Sequence, residues 1–270
     1  MQHSRPPLSG RTRFYGVFAD PVEHLRAPAV LNELLDRRGV DAICIPLHVT
    51  AEHLAVTVAG MRHLRNFAGY GVSMPHKSMA ARLCDELLPN AQACGVVNNI
   101  RVDADGRWIG EILDGVGMVR AITAQRALDA NSRVLLVGAG GVGRAIAVAL
   151  ALTGVGYLAI VNRTQAKAED LAHTVRRAAP ACAIEAGSAV DPAAFDVVIN
   201  ATSLGLHGQG PLPVEVARVS RTALVAEVVM VPELTPLLQA AQARALGIVR
   251  GREMLTQQVE AGMDFLGRTV

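Results

Sequence analysis

The chain has 270 residues, a formal net charge of +2, 51% hydrophobic residues and 19% charged residues. This balance excludes an intrinsically disordered chain, and the length is sufficient for two ordinary domains. Aromatic residues make up only 3% of the chain, and charges of both signs are interspersed, which argues against a nucleic-acid partner. The composition therefore predicts a well-buried globular enzyme.

The four cysteines form no C-x-x-C pair and the histidines form no H-E-x-x-H motif, so we expect a reduced, cytoplasmic protein without a metal site. The first 13 residues lack the apolar core of a secretory signal. The longest apolar region, Ala145–Val161, is interrupted at Thr153 and Gly154, where a helix should end and a strand begin. We therefore expect no membrane span. For the oligomeric state we expect a monomer or a homodimer.

Strands and helices alternate in the first part of the sequence. Hydrophobic spacing predicts strands at 14–18, 42–47 and 70–72 and helices at 30–38 and 51–64. A strong turn signal at Asp103–Gly106 predicts a hairpin between 96–102 and 107–109. This alternation is typical of an α/β sheet that is covered on both faces.

The second part of the sequence begins with a predicted helix at 113–127 and continues as a βαβαβ series. Its strands are predicted at 134–137, 157–161, 183–185, 196–199, 224–229 and 248–249, and its helices at 142–152, 165–178 and 235–245. This order predicts a doubly wound Rossmann sheet. We accordingly divide the chain into a first α/β domain at 1–113, a Rossmann domain at 114–250 and a closing segment at 251–270 that contains a helix.

A glycine-rich turn joins the first strand and helix of the Rossmann series. In such a turn one glycine permits the tight bend, one lets a pyrophosphate approach the backbone, and one allows close packing of helix on strand. The amides at the start of the helix then face the anion. Glycine-rich turns also serve purely structural ends, but the flanking strand and helix favour a dinucleotide site at Gly138, Ala139, Gly140, Gly141, Val142 and Gly143.

The second Rossmann strand ends at Asn162-Arg163-Thr164, where an NAD site would carry an acidic residue for the ribose 2′-hydroxyl. Arg163 and Thr164 instead offer a cation and a hydroxyl to a 2′-phosphate, so we predict NADP as cofactor, with NAD as the alternative. In the alternative interpretation Thr164 only caps the next helix. A further polar turn, Asn200-Ala201-Thr202-Ser203, follows another buried strand at the edge where ligands bind in open α/β sheets.

Only Lys77 and Lys167 are lysines among the 26 basic residues. Arginine is effectively never deprotonated, whereas a lysine can transfer a proton, so Lys77 is a candidate for acid–base chemistry. The alternative for this residue is an exposed position at the start of a helix.

At this point the chain resembles the shikimate dehydrogenase family over nearly its whole length. The resemblance in the first part rests on V-S-M-P-H-K at 72–77, G-V-V-N at 95–98 and D-G-V-G at 114–117. In the second part it rests on G-A-G-G-V-G at 138–143, N-R-T at 162–164, N-A-T-S at 200–203, P-E-L-T-P-L at 232–237 and M-L-T-Q-Q at 254–258. It implies a substrate domain followed by an NADP domain, with the closing helix returning to the substrate domain.

The resemblance also implies roles for individual residues. Lys77 and Asp114 match the family's catalytic pair, in which a lysine exchanges a proton with the reacting oxygen and the aspartate orients the substrate. Ser73, Asn98 and Gln258 match substrate contacts, with Ser73 in place of a threonine. The cofactor residues it implies are the glycine turn, the N-R-T segment and Ala201, Thr202 and Ser203.

The departures from the family pattern all affect the substrate site. Leu25 and Ala27 stand where the family has two serines that hold the substrate carboxylate, and Met230 stands where it has a tyrosine. Ile112 replaces an asparagine, and Asn99 replaces a threonine. These changes predict a pocket that is less polar at the carboxylate end. Arg26 could offer a charge-assisted pair there, or it could be a solvated loop residue.

We therefore predict an NADP-dependent oxidoreductase that acts on shikimate or a related cyclic alcohol or ketone. The alternatives are a quinate-type or NAD-linked dehydrogenase, and a non-catalytic NADP(H)-binding sensor.

Overall fold

The computed structural model describes residues 7–23 and 25–267. The chain forms two compact units, one drawn from residues 1–113 and 259–270 and the other comprising Asp114–Gln258. Each unit contains one six-stranded sheet. In the described ranges, no helix is both long and apolar enough to cross a membrane.

The first unit has a mixed sheet with the strand order β2-β1-β3-β5-β6-β4. Its strands are β1 Arg13–Ala19, β2 Ala42–His48, β3 Phe67–Val72, β4 Glu86–Leu87, β5 Asn99–Val102 and β6 Trp108–Glu111. Its helices are α1 Ala27–Arg38, α2 Leu54–Met61, α3 Lys77–Arg82 and α4 Pro89–Cys94. Strands β2, β1 and β3 are parallel, so their carboxyl ends lie at one edge of the sheet, while β5 pairs antiparallel with β3 and β6.

An aromatic cluster forms part of the core of this unit. The ring of Tyr70 makes edge contacts with Phe18 at 4.9 Å and Trp108 at 5.2 Å between centroids, and Phe67 packs beside both Tyr70 and Trp108. The guanidinium of Arg62 covers the Trp108 ring at 4.5 Å. Since few aromatic residues are present in the chain, their concentration at β1, β3 and β6 gives this sheet its bulkiest packing.

The second unit has a parallel sheet with the order β12-β11-β10-β7-β8-β9. Its strands are β7 Arg133–Val137, β8 Tyr157–Val161, β9 Ala183–Gly187, β10 Val197–Asn200, β11 Leu224–Glu227 and β12 Gly247–Val249. Its helices are α5 Asp114–Thr123, α6 Gly141–Thr153, α7 Gln165–Ala178 and α8 Pro236–Ala243, and α9 Gly251–Leu266 begins in it. The order reverses beside β7, which confirms the predicted doubly wound Rossmann sheet.

Two glycines of α5 allow unusually close helix packing in this unit. A Cβ on Gly115 would come 2.0 Å from the carbonyl oxygen of Ala145 in α6, and one on Gly117 would come 2.7 Å from the Cβ of Gln258 in α9. The D-G-V-G motif therefore presses α5 against both helices.

The closing segment differs from the expected division of the chain. We expected all of 251–270 to belong with the first domain, whereas Gly251–Gln258 belongs to the second unit and only the residues after it to the first. The contact of Gly117 with Gln258 explains this assignment, together with Gly251, where a Cβ would come 2.5 Å from the carbonyl oxygen of Val229.

The fold class is confirmed, although several predicted boundaries are not. The predicted helices at 51–64 and 113–127 are shorter, at Leu54–Met61 and Asp114–Thr123. The hairpin is present between β5 and β6, with Val102 opposite Trp108. The short elements β4 and α4 were not predicted.

Candidate functional site

The glycine turn between β7 and α6 has the geometry of a phosphate-binding turn. Gly138 has φ +113°, where side chains are rarely tolerated, and a Cβ on it would come 2.8 Å from the carbonyl of Ala201. A Cβ on Gly143 would come 2.1 Å from the carbonyl oxygen of Gly138, so only glycine lets the helix approach the strand here. Glycine is therefore required at both positions.

The other two glycines of the turn face open space. Apart from chain neighbours and the backbone of α6 itself, no atom of the described residues lies within 4 Å of a Cβ placed on Gly140 or Gly141. Gly140, at the N-cap of α6, provides no side-chain cap. The first-turn amides of this 13-residue helix, from Gly141 to Gly143, are thus left without a side-chain cap. Backbone amides at a helix start that a ligand can approach form an anion site.

Asn162 ties the glycine turn to the loop after β8. Its Oδ1 accepts a hydrogen bond from the Ala139 amide at 3.1 Å, and its Nδ2 donates to the carbonyl of Thr164 at 2.9 Å. Arg163 and Thr164 are exposed. Thr164 occupies the N-cap of α7, but its side chain makes no capping hydrogen bond, whereas Thr235 at the N-cap of α8 accepts one from Leu238. The Thr164 hydroxyl therefore does not cap helix α7.

The N-A-T-S loop after β10 packs under the glycine turn. Ala201 is 9% exposed and lies against Gly138, and the Thr202 side chain lies 2.9 Å from the position of a Cβ on that glycine. The Thr202 hydroxyl donates to Oδ1 of Asn200 at 2.7 Å, and Ser203 is exposed. The structure thus brings the glycine turn, the N-R-T segment and this loop together at the carboxyl ends of β7, β8 and β10.

In the first unit, the S-M-P-H-K segment follows β3 at the carboxyl edge of the parallel strands. The backbone amide of Ser73 donates to Phe18 at 2.8 Å, and the carbonyl of Lys77 accepts from Val97 at 3.2 Å. Lys77 is the first residue of α3 and is half-buried. The segment is therefore anchored through its backbone to β1 and to the residue before Asn98.

The amide side chain of Asn98 is buried, and its NH2 group donates no hydrogen bond within the described residues. Its Oδ1 accepts from the Leu113 amide at 2.8 Å and from Nδ2 of Asn99 at 2.9 Å. Its Nδ2 is buried without a hydrogen-bond partner in the described part of the chain. Since both acceptor positions are occupied, Asn98 offers a ligand a donor only. Asn99, which stands where the family has a threonine, helps to fix this orientation through its hydrogen bond to Oδ1.

Leu25 lies in the segment that connects β1 to α1, and Ala27 is the first residue of α1. The Asp20 amide at the start of that segment donates to Met74 at 3.2 Å, which ties it to the S-M-P-H-K segment. Leu25 and Ala27 are half-buried, and Arg26 is exposed at the N-cap of α1. No side-chain hydroxyl is available at positions 25 and 27.

The remaining predicted site residues belong to the second unit. Asp114 is 8% exposed at the start of α5, and Gln258 lies against Gly117 three residues later in that helix. Met230 is 44% exposed in the segment between β11 and α8. Ile112, by contrast, is 2% exposed in the core of the first unit.

Two buried carboxylates stand at strand ends. Glu111 closes β6 and accepts hydrogen bonds from the amides of Ala91 and Ile112 at 2.7 and 2.8 Å, and Glu227 closes β11. Burial raises the pKa of both carboxyls above the ordinary value of 4.5, against the opposing effect of their hydrogen bonds. Sequence reasoning missed Glu227. The available signal was an acidic residue at the end of an otherwise apolar strand.

Within 7–23 and 25–267, no group of three or more His, Cys, Asp or Glu side chains is arranged to hold a metal ion.

Comparison with known proteins agrees with this arrangement. Residues 17–100 match the family model of the shikimate dehydrogenase substrate binding domain, and residues 122–207 match that of shikimate / quinate 5-dehydrogenase. Shikimate dehydrogenase (NADP(+)) of Lysinibacillus sphaericus is 36% identical over 248 residues, which cover 91% of this chain and 89% of that protein.

Solved structures are similar over almost the whole chain. The ligand-free 5-ketofructose reductase of Gluconobacter sp. strain CHM43 has a TM-score of 0.90 at 32% identity and covers 97% of this chain and 95% of its own. A shikimate dehydrogenase in complex with NADP+ has a TM-score of 0.85 at 28% identity, covering 96% and 91%. With both family models matched in order along one chain, the protein belongs to the shikimate dehydrogenase family.

Proposed function

We propose that this protein is an NADP-dependent oxidoreductase that interconverts a secondary alcohol and a ketone on a polyhydroxylated substrate without a carboxylate. The family membership supports oxidoreductase chemistry at a CH–OH group, and the second unit carries residues that fit the cofactor. The substrate class is the part that goes beyond the family's name.

The residues of the second unit fit NADP. The uncapped amides from Gly141 to Gly143 would hold the pyrophosphate, and the open space at Gly140 and Gly141 leaves room for it. Arg163 and the uncommitted hydroxyl of Thr164 would hold the 2′-phosphate. When bound, NADPH supplies the hydride.

Lys77 and Asp114 would carry the proton chemistry. In the reducing direction the Lys77 ammonium donates a proton to the carbonyl oxygen of the substrate, and in the oxidising direction the neutral amine accepts it from the hydroxyl. Asp114 orients the reacting hydroxyl. Nδ2 of Asn98 would donate a hydrogen bond to a second substrate oxygen, because Oδ1 of the same side chain already accepts one from the Leu113 amide.

The observation that carries the substrate class is the loss of the two serine hydroxyls at Leu25 and Ala27. A carboxylate placed against these side chains would lose hydration without gaining hydrogen bonds, at a cost on the order of several kcal/mol. A neutral hydroxyl or methylene would avoid most of this cost. The 5-ketofructose reductase, which is 32% identical, supports a ketone of this kind by its name.

A substrate panel tests this proposal. Purified protein is assayed through nicotinamide absorbance with NADPH and NADH, against 5-ketofructose and other neutral polyhydroxylated ketones, and with NADP+ against shikimate and quinate. We expect turnover of a neutral ketone with NADPH, and kcat/KM for shikimate and quinate lower by at least about a hundredfold. Efficient oxidation of shikimate would refute the proposed substrate class.

A double variant makes the test sharper. Leu25→Ser combined with Ala27→Ser restores both hydroxyls, so it should raise kcat/KM for shikimate by at least about tenfold and lower it for the neutral ketone. Leu25→Ala alone is the matched control, because it opens the same space without adding a hydrogen-bond donor.

A further inference from the structure

Glu227 is a fully buried carboxylate that takes no part in the proposed proton or hydride transfer. It is 0% exposed at the end of β11, and its Oε1 accepts hydrogen bonds from the amides of Val228 at 3.0 Å and Val229 at 3.1 Å. Oε2 accepts from the Thr235 hydroxyl at 3.1 Å, and Nδ2 of Asn200 donates to both oxygens at 3.0 and 3.2 Å. Burial raises the pKa of this carboxyl. A buried charged group of this kind is costly unless its acceptors are well occupied.

One arm of this network leads to the glycine turn. Asn200 donates to Glu227 and also to the carbonyl of Leu204 at 3.0 Å, while its Oδ1 accepts from the amide and the hydroxyl of Thr202. The Thr202 side chain and the Ala201 backbone then pack directly against Gly138. A continuous series of contacts therefore joins the Glu227 carboxylate to the turn that would hold the pyrophosphate.

The other arm leads to the segment that carries Met230. The bonds from the Val228 and Val229 amides fix the start of this segment, and the carbonyl of Val231 accepts from the His207 amide at 2.7 Å. Gly251 packs against the Val228 and Val229 carbonyls from the other side. Met230, at the position of the family's tyrosine, is held between these fixed points.

The chemistry of the donors requires a group that only accepts hydrogen bonds. Two amides, one hydroxyl and one side-chain NH2 all point at the two oxygens of Glu227. A glutamine of the same shape would place its own NH2 group against at least one of these donors, and the neighbouring loops would have to move apart.

We infer that Glu227 is a positioning residue, which holds the Asn200–Leu204 loop and the Val228–Val231 segment together as a single wall of the cofactor site. The inference rests on the proposed function for the identity of the cofactor. It concerns a residue that need not touch the cofactor and acts through Thr202 and Met230.

Two isosteric variants of the full chain test this role. Glu227→Gln is compared with Glu111→Gln, the matched control, since Glu111 is also a buried carboxylate that closes a strand and binds backbone amides, but it belongs to the other unit. NADP+ binding is measured by titration calorimetry without substrate, and amide hydrogen exchange is measured on the free protein. Thermal unfolding establishes that each variant is folded.

We expect Glu227→Gln to raise the Kd for NADP+ by about tenfold or more and to speed exchange within 200–204 and 228–231. Glu111→Gln should leave that Kd within about twofold and should speed exchange near Ala91 and Ile112 instead. A role limited to folding would lower thermal stability in both variants and leave the Kd for NADP+ unchanged in both.

The outcomes separate this inference from the proposed function. If the unaltered protein fails to bind NADP+, the proposed function fails. Hydrogen exchange then tests the inference separately, and an unchanged exchange rate in Glu227→Gln would overturn it. If the unaltered protein binds and Glu227→Gln binds equally well, the inference alone is wrong. Should Glu227→Gln not fold, Thr235→Val removes one donor to the carboxylate, and unchanged binding together with unchanged exchange in that variant would overturn the inference.

Discussion

Gly117 of α5 and Gln258 of α9 lie so close together that a Cβ on the glycine would come 2.7 Å from the Cβ of Gln258. Gly117 follows Asp114 by one helical turn, so the side of α5 that presents Asp114 is also the side pressed against α9. The position of Gln258, which the family resemblance assigns to the substrate site, thus depends on the absence of a methyl group at Gly117.

Gly117→Ala should therefore disturb the substrate site more than the cofactor site. The added Cβ would also come 2.7 Å from the carbonyl oxygen of Met254, and since backbone atoms cannot move aside cheaply, α9 must shift. We expect a loss of about 1–3 kcal/mol in unfolding free energy, with a raised KM for substrate and a nearly unchanged Kd for NADP+.

Gly60→Ala is the control for this substitution. Gly60 lies in helix α2, and outside that helix no atom of the described part of the chain lies within 4 Å of an added Cβ. Alanine there should leave kinetics unchanged and stabilise the helix by up to about 1 kcal/mol. Urea unfolding and steady-state kinetics on both variants provide the measurement. An unchanged KM in Gly117→Ala would contradict the role of this contact.

Arg163→Ala should change the preference between the two nicotinamide cofactors. Arg163 is exposed after β8, next to Thr164, whose hydroxyl makes no capping hydrogen bond to α7. Its replacement would remove the charge-assisted contact that we propose for the 2′-phosphate. We expect the Kd for NADP+ to rise by about 10- to 100-fold with little change for NAD+, measured by calorimetric titration. Arg221→Ala, another exposed arginine of the same unit, should leave both constants unchanged.

Asn98→Asp separates the donor function of this side chain from its structural bonds. The aspartate keeps an oxygen for the Leu113 amide but replaces the partnerless Nδ2 with a second acceptor. We expect kcat/KM for the substrate to fall by about a hundredfold, because a substrate oxygen loses its donor and meets a negative charge. NADP+ affinity is the internal reference, and a variant that kept full kcat/KM would show that Asn98 does not contact substrate.

The buried carboxyl of Glu111 makes stability depend on pH in a defined direction. Burial raises its pKa in the folded protein above 4.5, so the folded state binds more protons than the unfolded chain between 4.5 and the raised value. This contribution to stability is fully present below that window and is lost as the pH rises through it. Glu111→Gln should therefore flatten the decline in urea unfolding free energy across the window.

The same substitution at Glu52, whose side chain is 76% exposed, is the control for the pH experiment. We expect Glu52→Gln to keep the slope of the unaltered protein. A steeper decline in Glu111→Gln would contradict the sign of the pKa shift.

The extent to which sequence predicted this fold depends on how local the signals are. Helix α7 at Gln165–Ala178 and strand β8 at Tyr157–Val161 match the predicted bounds, because amphipathic spacing and an apolar run between polar turns specify them locally. Strand β4 has two residues and α4 has six, too few for a periodic pattern, and both depend on pairing with or packing against β6.

The same distinction applies to the candidate site. The glycine turn was predictable because the conformations of Gly138 and Gly143 follow from a short segment and its flanking elements. The network around Glu227 was not, since its side-chain partner Asn200 is 27 residues away and meets it only through the register of β10 with β11. The orientation of Asn98 likewise depends on Leu113, 15 residues further along the chain.

Lys77→Arg is the sharpest test of the proposed proton transfer. Arginine keeps the positive charge and can still donate hydrogen bonds, but it does not give up a proton at accessible pH, so binding should survive while chemistry fails. We expect kcat to fall by about 10²- to 10⁴-fold while the Kd for NADP+ stays within about twofold.

The matched control is Lys167→Arg, the same change at the only other lysine, which is exposed in helix α7 and should keep full turnover. A non-catalytic NADP(H) sensor would respond equally to both substitutions. Near-normal turnover by Lys77→Arg would instead assign the proton to another group, because charge alone would then suffice at this position.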